Sequence, residues 1–564
     1  MSGCSQHAGR VPCKEVDGAC SNMNQKLKIS GRDFLGYLLL GISVIMLLRS
    51  LTLCFSSDIW YDELFTVGMI QYSYGELINF TAQDVHPPLY YMIVKFFVDL
   101  CKLMLPGVHA VAVAKIVSVM PYFVLLFYSV TLIRRRLDIF VGGLFLFCVI
   151  AMPQLSSYTV EVRMYSWALM FVAAAFLHGH EAVWDRKDGK RTVIRQRLHG
   201  CAMACYCLAA AYTQYFAAVA AVMVYLYVLF ELLRRDRRRI WEWILWVSAA
   251  AAGYAAWLMV LYRQITKVNA NYWILPLSFR SLGGCVKFLM KPAFTSEGLN
   301  VVLAVVLTGV YAAVFLYHVT KLFHNRRVGG KKAVDHRERV ENAGEDPVNE
   351  ERSIWMAAGV FVVLGVIGFG FAASLLVRPI FVYRYMIPAL GCFWLSFAAG
   401  LGEIWQTGRK SKARSLFSVA AVFLVVVIGL RDYRAFRGEE EYKILLMEQT
   451  SEALSSIAQE DIVVYNFEQV QAVTAYYLPE ETESYLWCGT PESLIQEIIR
   501  PFGVVEETEV LQKWCEEGKT VWFIGSFNSR DAIVEEWRGC GLQVEEKGSY
   551  LLERYWFNLY KISI

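Results

Sequence analysis

The chain has 564 residues, of which 56% are hydrophobic and only 19% charged; soluble domains run nearer about 45–50% and about 25%. The excess falls in runs of about 15–25 residues, the length of a bilayer-spanning helix, which excludes a soluble enzyme, a disordered chain and a disulfide scaffold. It also disfavours an outer-membrane barrel, whose strands alternate over about ten residues. The net charge of +4 hides an asymmetry, because residues 439–564 carry 24 acidic and 9 basic side chains. A basic membrane body is joined to an acidic tail domain.

Residues 1–33 are polar, carry no signal-peptide core and read as a cytoplasmic tail. Apolar runs suited to spanning start near residues 34, 108, 139, 164, 199, 216, 240, 297, 353, 384 and 415, about eleven spans in all. The segment 87–105 is apolar too, but it contains Lys95, Asp99 and Lys102. At i, i+4 and i+7 these make one polar stripe, so the segment reads as an amphipathic surface helix. With it on the surface, the basic stretches 134–136, 186–197, 234–239, 321–339 and 409–414 share one side and hold 25 Lys/Arg, against about ten opposite. The positive-inside rule then puts those loops in the cytoplasm. The outer face receives loops 56–107 and 263–297 and the tail domain. The basic stretches are topology signals, and no nucleic-acid partner is implied. The fourteen Cys are scattered, without metal spacing, and read as mostly free thiols.

After residue 430 the pattern changes. Segments 461–467, 483–487 and 520–526 read as short buried strands. Segments 469–477, 492–499 and 530–537 read as helices between them. The expected fold is therefore an α-helical polytopic membrane protein of about eleven transmembrane helices with outer-surface amphipathic helices (residues 34–430), followed by a small external α/β domain (431–564). That tail has no glycine-rich nucleotide loop.

The outer ends of the spans collect the residues that carry chemistry. They are Trp60-Tyr61-Asp62-Glu63, Asp84-Val85-His86-Pro87-Pro88-Leu89-Tyr90-Tyr91, Glu161-Val162-Arg163-Met164-Tyr165, Tyr212-Thr213-Gln214-Tyr215, and Arg378-Pro379 through Arg384-Tyr385. They are far apart in sequence but share one membrane level. Each also has a bland reading. Asp62 and Asp84 can cap helices, Arg163 and Arg384 can snorkel to headgroups, and the tyrosines fit an aromatic belt.

This set of motifs resembles the GT-C membrane glycosyltransferases, in particular family 39, of the protein mannosyltransferase and aminoarabinose transferase type. The resemblance covers about residues 34–430 and rests most on Asp62-Glu63 with the block 84–91. It implies a GT-C fold, a polyprenyl-phosphate-linked sugar as donor, and transfer on the outer face. It implies Asp62 as base, with the first outer loop and the loop after the seventh span forming the site; Glu63 and Asp84 are further catalytic candidates. Where aminoarabinose enzymes have Glu-Lys-Pro, this chain has Val85-His86-Pro87.

The chemistry is consistent with these residue types. A carboxylate takes the proton of an attacking hydroxyl, and guanidinium groups neutralise a leaving phosphate. Arg163, Arg378 and Arg384 are the phosphate candidates, with Lys267 and Arg280 of the second outer loop behind them. Tyr61, His86, Tyr90, Tyr165, Tyr212 and Gln214 are further substrate-binding candidates. The residues fix no cofactor, and a divalent ion at Asp62, Asp84 and His86 is left open. The acceptor is a protein, a glycolipid or a cell-envelope polymer. The rivals are a secondary transporter and a non-catalytic lipid-binding scaffold. Ion coupling is disfavoured, because the span centres hold almost no Asp or Glu and no inverted repeat is visible.

Overall fold

The structure is a computed structural model that describes residues 30–56, 58–184, 190–267, 274, 276–331, 346–408, 411–489, 498–552 and 555–564. All eleven expected spans fall on helices. In chain order these are α1 (Gly31–Leu53), α5 (Ala110–Tyr128), α6 (Ile139–Ala151), α7 (Tyr165–Trp184), α8 (Lys190–Thr213), α9 (Tyr215–Arg235), α10 (Ile240–Lys267), α12 (Glu297–Lys331), α13 (Asp346–Leu376), α14 (Ile387–Thr407) and α15 (Lys412–Leu454). Among the described residues, eight helices are long and apolar enough to cross a membrane. The helix α6 is apolar but has 13 residues. It is buried along its whole length, as are α14 up to Ile404 and most of α7. These three form the centre of the bundle, with α1 and α15 packed against α6. The chain is a multi-pass membrane protein.

Close backbone approach fixes the centre. A Cβ on Gly36 of α1 would lie 2.7 Å from Ile139 O and Phe140 Cα, and one on Gly143 would meet the Gly36 carbonyl. Helix α5 continues to Arg136 through a π-helical turn at Ser129–Ile133. That turn carries the Ser129 carbonyl against Gly142, where a Cβ would lie 2.5 Å away.

Between α1 and α5 the chain forms α2 (Tyr61–Met69), α3 (Tyr74–Gln83) and α4 (Leu89–Met104). Ser73 caps α3 with Glu76 answering three residues on, the reciprocal capping pair expected of that spacing. In α4, within the expected surface segment, Lys95 is 8% exposed. Its ammonium donates to the Ile70 carbonyl at 3.2 Å and pairs with Asp99 at 3.1 Å. Lys95 thus ties α4 to the end of α2. The second long loop contains α11 (Phe279–Met290).

The bundle end that carries the basic loops is laced with ion pairs. Asp138 joins Arg32 and Arg352, Glu351 joins Arg136 and His180, and Glu231 joins Arg234 and Arg235. At the other end, α15 runs without a break for 43 residues. It carries the chain across position 431 into the acidic domain.

That domain is a six-stranded mixed sheet in the order β3-β2-β1-β4-β6-β5. The strands are β1 (Ile462–Tyr465), β2 (Glu483–Trp487), β3 (Gly503–Val505), β4 (Val521–Ser526), β5 (Gln543–Leu552) and β6 (Tyr555–Ser563). The first four are parallel, and β5-β6 is an antiparallel hairpin on the β4 edge. The three expected strands are β1, β2 and β4. Of the expected helices, 469–477 is α16 (Glu468–Ala475) and 530–537 is α18 (Ser529–Gly539); most of 492–499 lies outside the described residues. The additional α17 (Thr508–Glu516) and α18 cover one face. The other face packs through α16 and the end of α15 onto Ile59, Leu64 and Val67 around α2. The sheet therefore sits directly on the segment that follows the first span.

Candidate functional site

The site is built on α2. Trp60 precedes the helix in extended conformation, and Glu63 three residues on accepts the Trp60 amide at 3.2 Å. The other Glu63 oxygen accepts the Val162 amide at 2.6 Å, while Thr66 donates to the Val162 carbonyl at 3.0 Å. These bonds lock α2 against the turn 152–164. Just before α2, Lys115 of α5 pairs with Asp58 at 2.5 Å and with Ser56 at 3.0 Å, with both ionic side chains buried. Glu63 is 5% exposed. Burial pushes its carboxyl up, Lys115 and the two backbone donors pull it down, and the balance lies at about 8. The Glu63 carboxyl is engaged in holding the frame.

Asp62 points elsewhere, as expected of the next position on a helix, about 100° away. Its Oδ2 accepts from Arg384 at 3.1 Å, with both side chains about a quarter exposed. Arg163 donates to the Asp62 backbone carbonyl at 2.7 Å and is 4% exposed. Two guanidinium groups, from a turn 101 residues away and a 3-10 turn 322 residues away, thus converge on one aspartate. The Nε atoms of both arginines and the hydroxyls of Tyr91, Tyr122 and Tyr165 are buried without a hydrogen-bond partner. Tyr91, Tyr165 and Glu161 all lie within electrostatic reach of Arg163. A buried polar group left unmet costs about 1–3 kcal/mol, so such a cluster marks a place built to be filled.

Asp84 ends α3, and its carboxylate bonds His86 Nδ1 at 2.7 Å. Burial pushes the Asp84 carboxyl up, but the His86 ring, the Val85 amide and Arg163 outweigh it, and the net direction is down. The turn bearing this pair is held by Gln264 of α10. Its amide donates to the Thr81 carbonyl at 2.9 Å and also meets the Asp84 carbonyl. Tyr215 donates to Gln264, and Trp257 donates to Tyr215 at 3.1 Å.

The structure therefore gathers Asp62, Arg163, Arg384, Tyr165, Asp84 and His86 of the sequence candidates. Others are engaged differently. Tyr90 is fully buried with its hydroxyl 3.3 Å from Ser118; the neighbouring Tyr91 faces Arg163 and Asp84 instead. Gln214 caps α9 by accepting the Ala217 amide at 2.8 Å. Tyr212 donates to the Gly253 carbonyl at 2.9 Å within an aromatic group of Tyr254 and Trp257. Tyr61 packs toward the sheet domain. Arg378 is half-buried, Arg280 is exposed, and Lys267 ends α10 with its side chain outside the described residues.

Sequence reasoning missed Tyr91 and Glu161 as site residues. Glu161 lies in the same turn as Arg163. Burial pushes its carboxyl up, Arg163 pulls it down, Asp62 pushes it up again, and the balance is about 7. As to a divalent ion, Asp84 and His86 are spent on each other. Among the described residues no three His, Cys, Asp or Glu side chains converge as a metal site, so the residues present do not fit the ion.

Neither known protein families nor curated proteins give a sequence match. Among solved structures, the chain is similar to ArnT from Cupriavidus metallidurans in the apo state. The identity is 12%, the match covers 94% of this chain and 97% of that one, and the TM-score is 0.52. ArnT bound to undecaprenyl phosphate matches with 12% identity, 94% and 98% coverage and a TM-score of 0.51. The likeness is one of fold, and it falls on a protein of the GT-C group that the motif resemblance implied. ArnT, an aminoarabinose transferase, is a protein this chain is similar to over almost its whole length.

Proposed function

We propose that the chain is a glycosyltransferase that moves a monosaccharide from a polyprenyl-phosphate-linked donor to an acceptor hydroxyl at the outer face of the membrane. The observation that carries the reading is the Asp62 carboxylate flanked by Arg163 and Arg384, with unmet buried donors around it, at the bundle end opposite the basic loops. The similarity to a structure that holds undecaprenyl phosphate supports a lipid-phosphate donor.

In this reading Asp62 accepts the proton of the acceptor hydroxyl as its oxygen attacks the anomeric carbon. The bond from that carbon to the phosphate oxygen breaks, and its electron pair leaves on the lipid phosphate. Arg163 and Arg384 meet the developing charge, each with a fork of donors suited to phosphate oxygens. Tyr91 and Tyr165 offer hydroxyls to phosphate or sugar. Asp84 holds the His86 ring, and Glu63 holds the frame. Asp62 pairs with Arg384 while the donor is absent, and arrival of phosphate gives Arg384 a second anion to bridge. The N-terminus and basic loops are cytoplasmic and the sheet domain is external, because the basic stretches collect on one side.

The test is mass spectrometry of glycans and glycolipids from cells that lack the protein, complemented with wild type or with Asp62→Asn. A saccharide that vanishes on deletion and returns with wild type only is the expected result. Identical profiles in all strains would overturn the reading.

A further inference from the structure

The sheet domain has its own switch point. The chain runs from β1 outward to β2 and β3, then returns to the other side of β1 as β4. The helix after β1, α16, lies on the face toward α2, while α18, after β4, lies on the opposite face. In open α/β sheets a crevice opens at such a point, outside the carboxyl ends of the strands, and it is the usual ligand site. Asn466 braces this crevice. Its amide donates to the Ser526 carbonyl at 2.8 Å and to Ser529 Oγ at 3.0 Å, and its oxygen accepts the Ser526 amide at 2.8 Å.

Three aromatic residues cluster at these strand ends, two of them, Phe467 and Tyr555, packed on the core between the sheet and α2. Phe467 follows β1 and Phe527 follows β4; their rings meet edge to face at 4.7 Å. Tyr555, which opens β6 beside the end of β4, lies 6.2 Å from Phe467. Phe527 holds φ at +58° and is 59% exposed. A bulky non-glycine residue rarely takes that conformation, and here it turns a large apolar ring into solvent. The row then continues to the membrane body, because Tyr61 of α2 packs against the same core as Phe467 and Tyr555. The path thus runs from an exposed ring to the residue next to the proposed base.

We infer that this crevice binds the acceptor and that its ligand is an uncharged saccharide, whose free hydroxyl is thereby delivered to Asp62. The inference rests on the transferase reading above. Aromatic faces carry negative charge density, and one face of a pyranose presents a set of C–H hydrogens to them. The Glu468 carboxylate, in the first turn of α16 beside the rings, accepts sugar hydroxyls. The domain carries 24 acidic against 9 basic side chains over residues 439–564, which disfavours an anionic acceptor. A peptide acceptor would find few backbone partners along a row of rings.

Ligand-observed NMR on the full-length protein in lipid nanodiscs tests this. The probes are cellotetraose, maltotetraose and mannotetraose, with a Ser/Thr-containing peptide for comparison. Wild type and Asp62→Asn should both bind at least one tetrasaccharide. Phe527→Ala should weaken that binding about tenfold or more, the equivalent of about 1.4 kcal/mol, and Phe527→Tyr should restore it. Undecaprenyl phosphate should bind Phe527→Ala as it binds wild type, which shows that the variant is folded. The inference is overturned if wild type binds none of the tetrasaccharides, if Phe527→Ala binds them equally, or if the peptide binds instead in a Phe527-dependent way. The transferase reading fails separately, by an Asp62→Asn protein that transfers at the wild-type rate.

Discussion

Asp62→Asn separates the two things the Asp62 side chain does. Asparagine keeps the shape, and its carbonyl oxygen still accepts from Arg384, 3.1 Å away in the native chain. The fold around α2 should survive, because that helix is held by Glu63, Thr66 and Lys115. The amide cannot take a proton, so turnover should fall by about 10²–10⁴-fold, the span of a lost general base. Donor binding should move the other way. Two unit charges about 6 Å apart at an effective dielectric constant of about 20 repel by about 2.8 kcal/mol. Asp62 and Arg384 are about a quarter exposed, so solvent screening removes most of that. The expected gain in undecaprenyl-phosphate affinity is about two- to tenfold. The assay pairs single-turnover transfer from native polyprenyl-phosphate sugars with a separate binding titration. Transfer at the wild-type rate would remove Asp62 as base. Lost donor binding in a folded variant would show that Asp62 organises the phosphate site instead.

Arg163→Ala and Arg384→Ala should each weaken donor binding by roughly 10–150-fold, from about 1.5–3 kcal/mol per charge-assisted contact; unchanged affinity in both would leave them as anchors of α2. Glu63 has an ordinary value of 4.5 and stands at about 8 in the folded chain, so the folded state keeps a proton that the unfolded state gives up. Its contribution to stability is full below about 4.5 and is lost as pH rises to about 8. Melting temperatures of wild type should decline across that window relative to Glu63→Gln, and parallel curves would contradict the assignment. A membrane-impermeant thiol reagent on intact cells should reach Cys488 and Cys540, which are exposed in the sheet domain. It should not reach Cys4, Cys13 or Cys20; the reverse pattern would invert the topology.

The spans were legible because a bilayer demands long apolar runs, and each of the eleven starts lies on a helix or within two residues of one. Strands β1, β2 and β4 were legible for the same reason, being largely buried. The hairpin β5-β6 was not. Gln543–Leu552 buries only Val544 and Leu552 and is interrupted by Glu545, Glu546 and Lys547, so its pairing comes from β6 and not from its own pattern. The polar stretch of α15 after Asp432 was equally hidden, since its helix is sustained by packing against the sheet domain and α1. At the site, the motifs named the right turns but not always the right side chain. In Tyr90-Tyr91 one step of a helix decides which hydroxyl meets Ser118 and which is left unmet near Arg163 and Asp84. Glu161 offered a signal that was available, a carboxylate two residues from an arginine in a motif already singled out.

The two ends of the bundle explain why the charged residues of this chain divide as they do. At the basic end, carboxylates and cations close on one another: Glu231 takes Arg234 and Arg235, and Glu351 takes Arg136. Removing one partner from such a buried pair is costly, so these groups bind the helices together, although Arg32 Nε, Arg352 Nη1, Glu181 Oε1 and Glu403 Oε2 there are also unmet. At the other end the balance is broken. The Asp62 carboxylate pairs with Arg384 and its backbone carbonyl takes Arg163, while three tyrosine hydroxyls and two guanidinium nitrogens in that layer have no partner. Individual unmet hydroxyls occur elsewhere in the chain, at Tyr225 and Tyr254 for example. What sets this place apart is their convergence on an aspartate beneath the sheet domain. Unmet hydroxyls and guanidinium nitrogens gathered at one place suit an anion with several oxygens, and in the proposed reading a lipid phosphate is that anion.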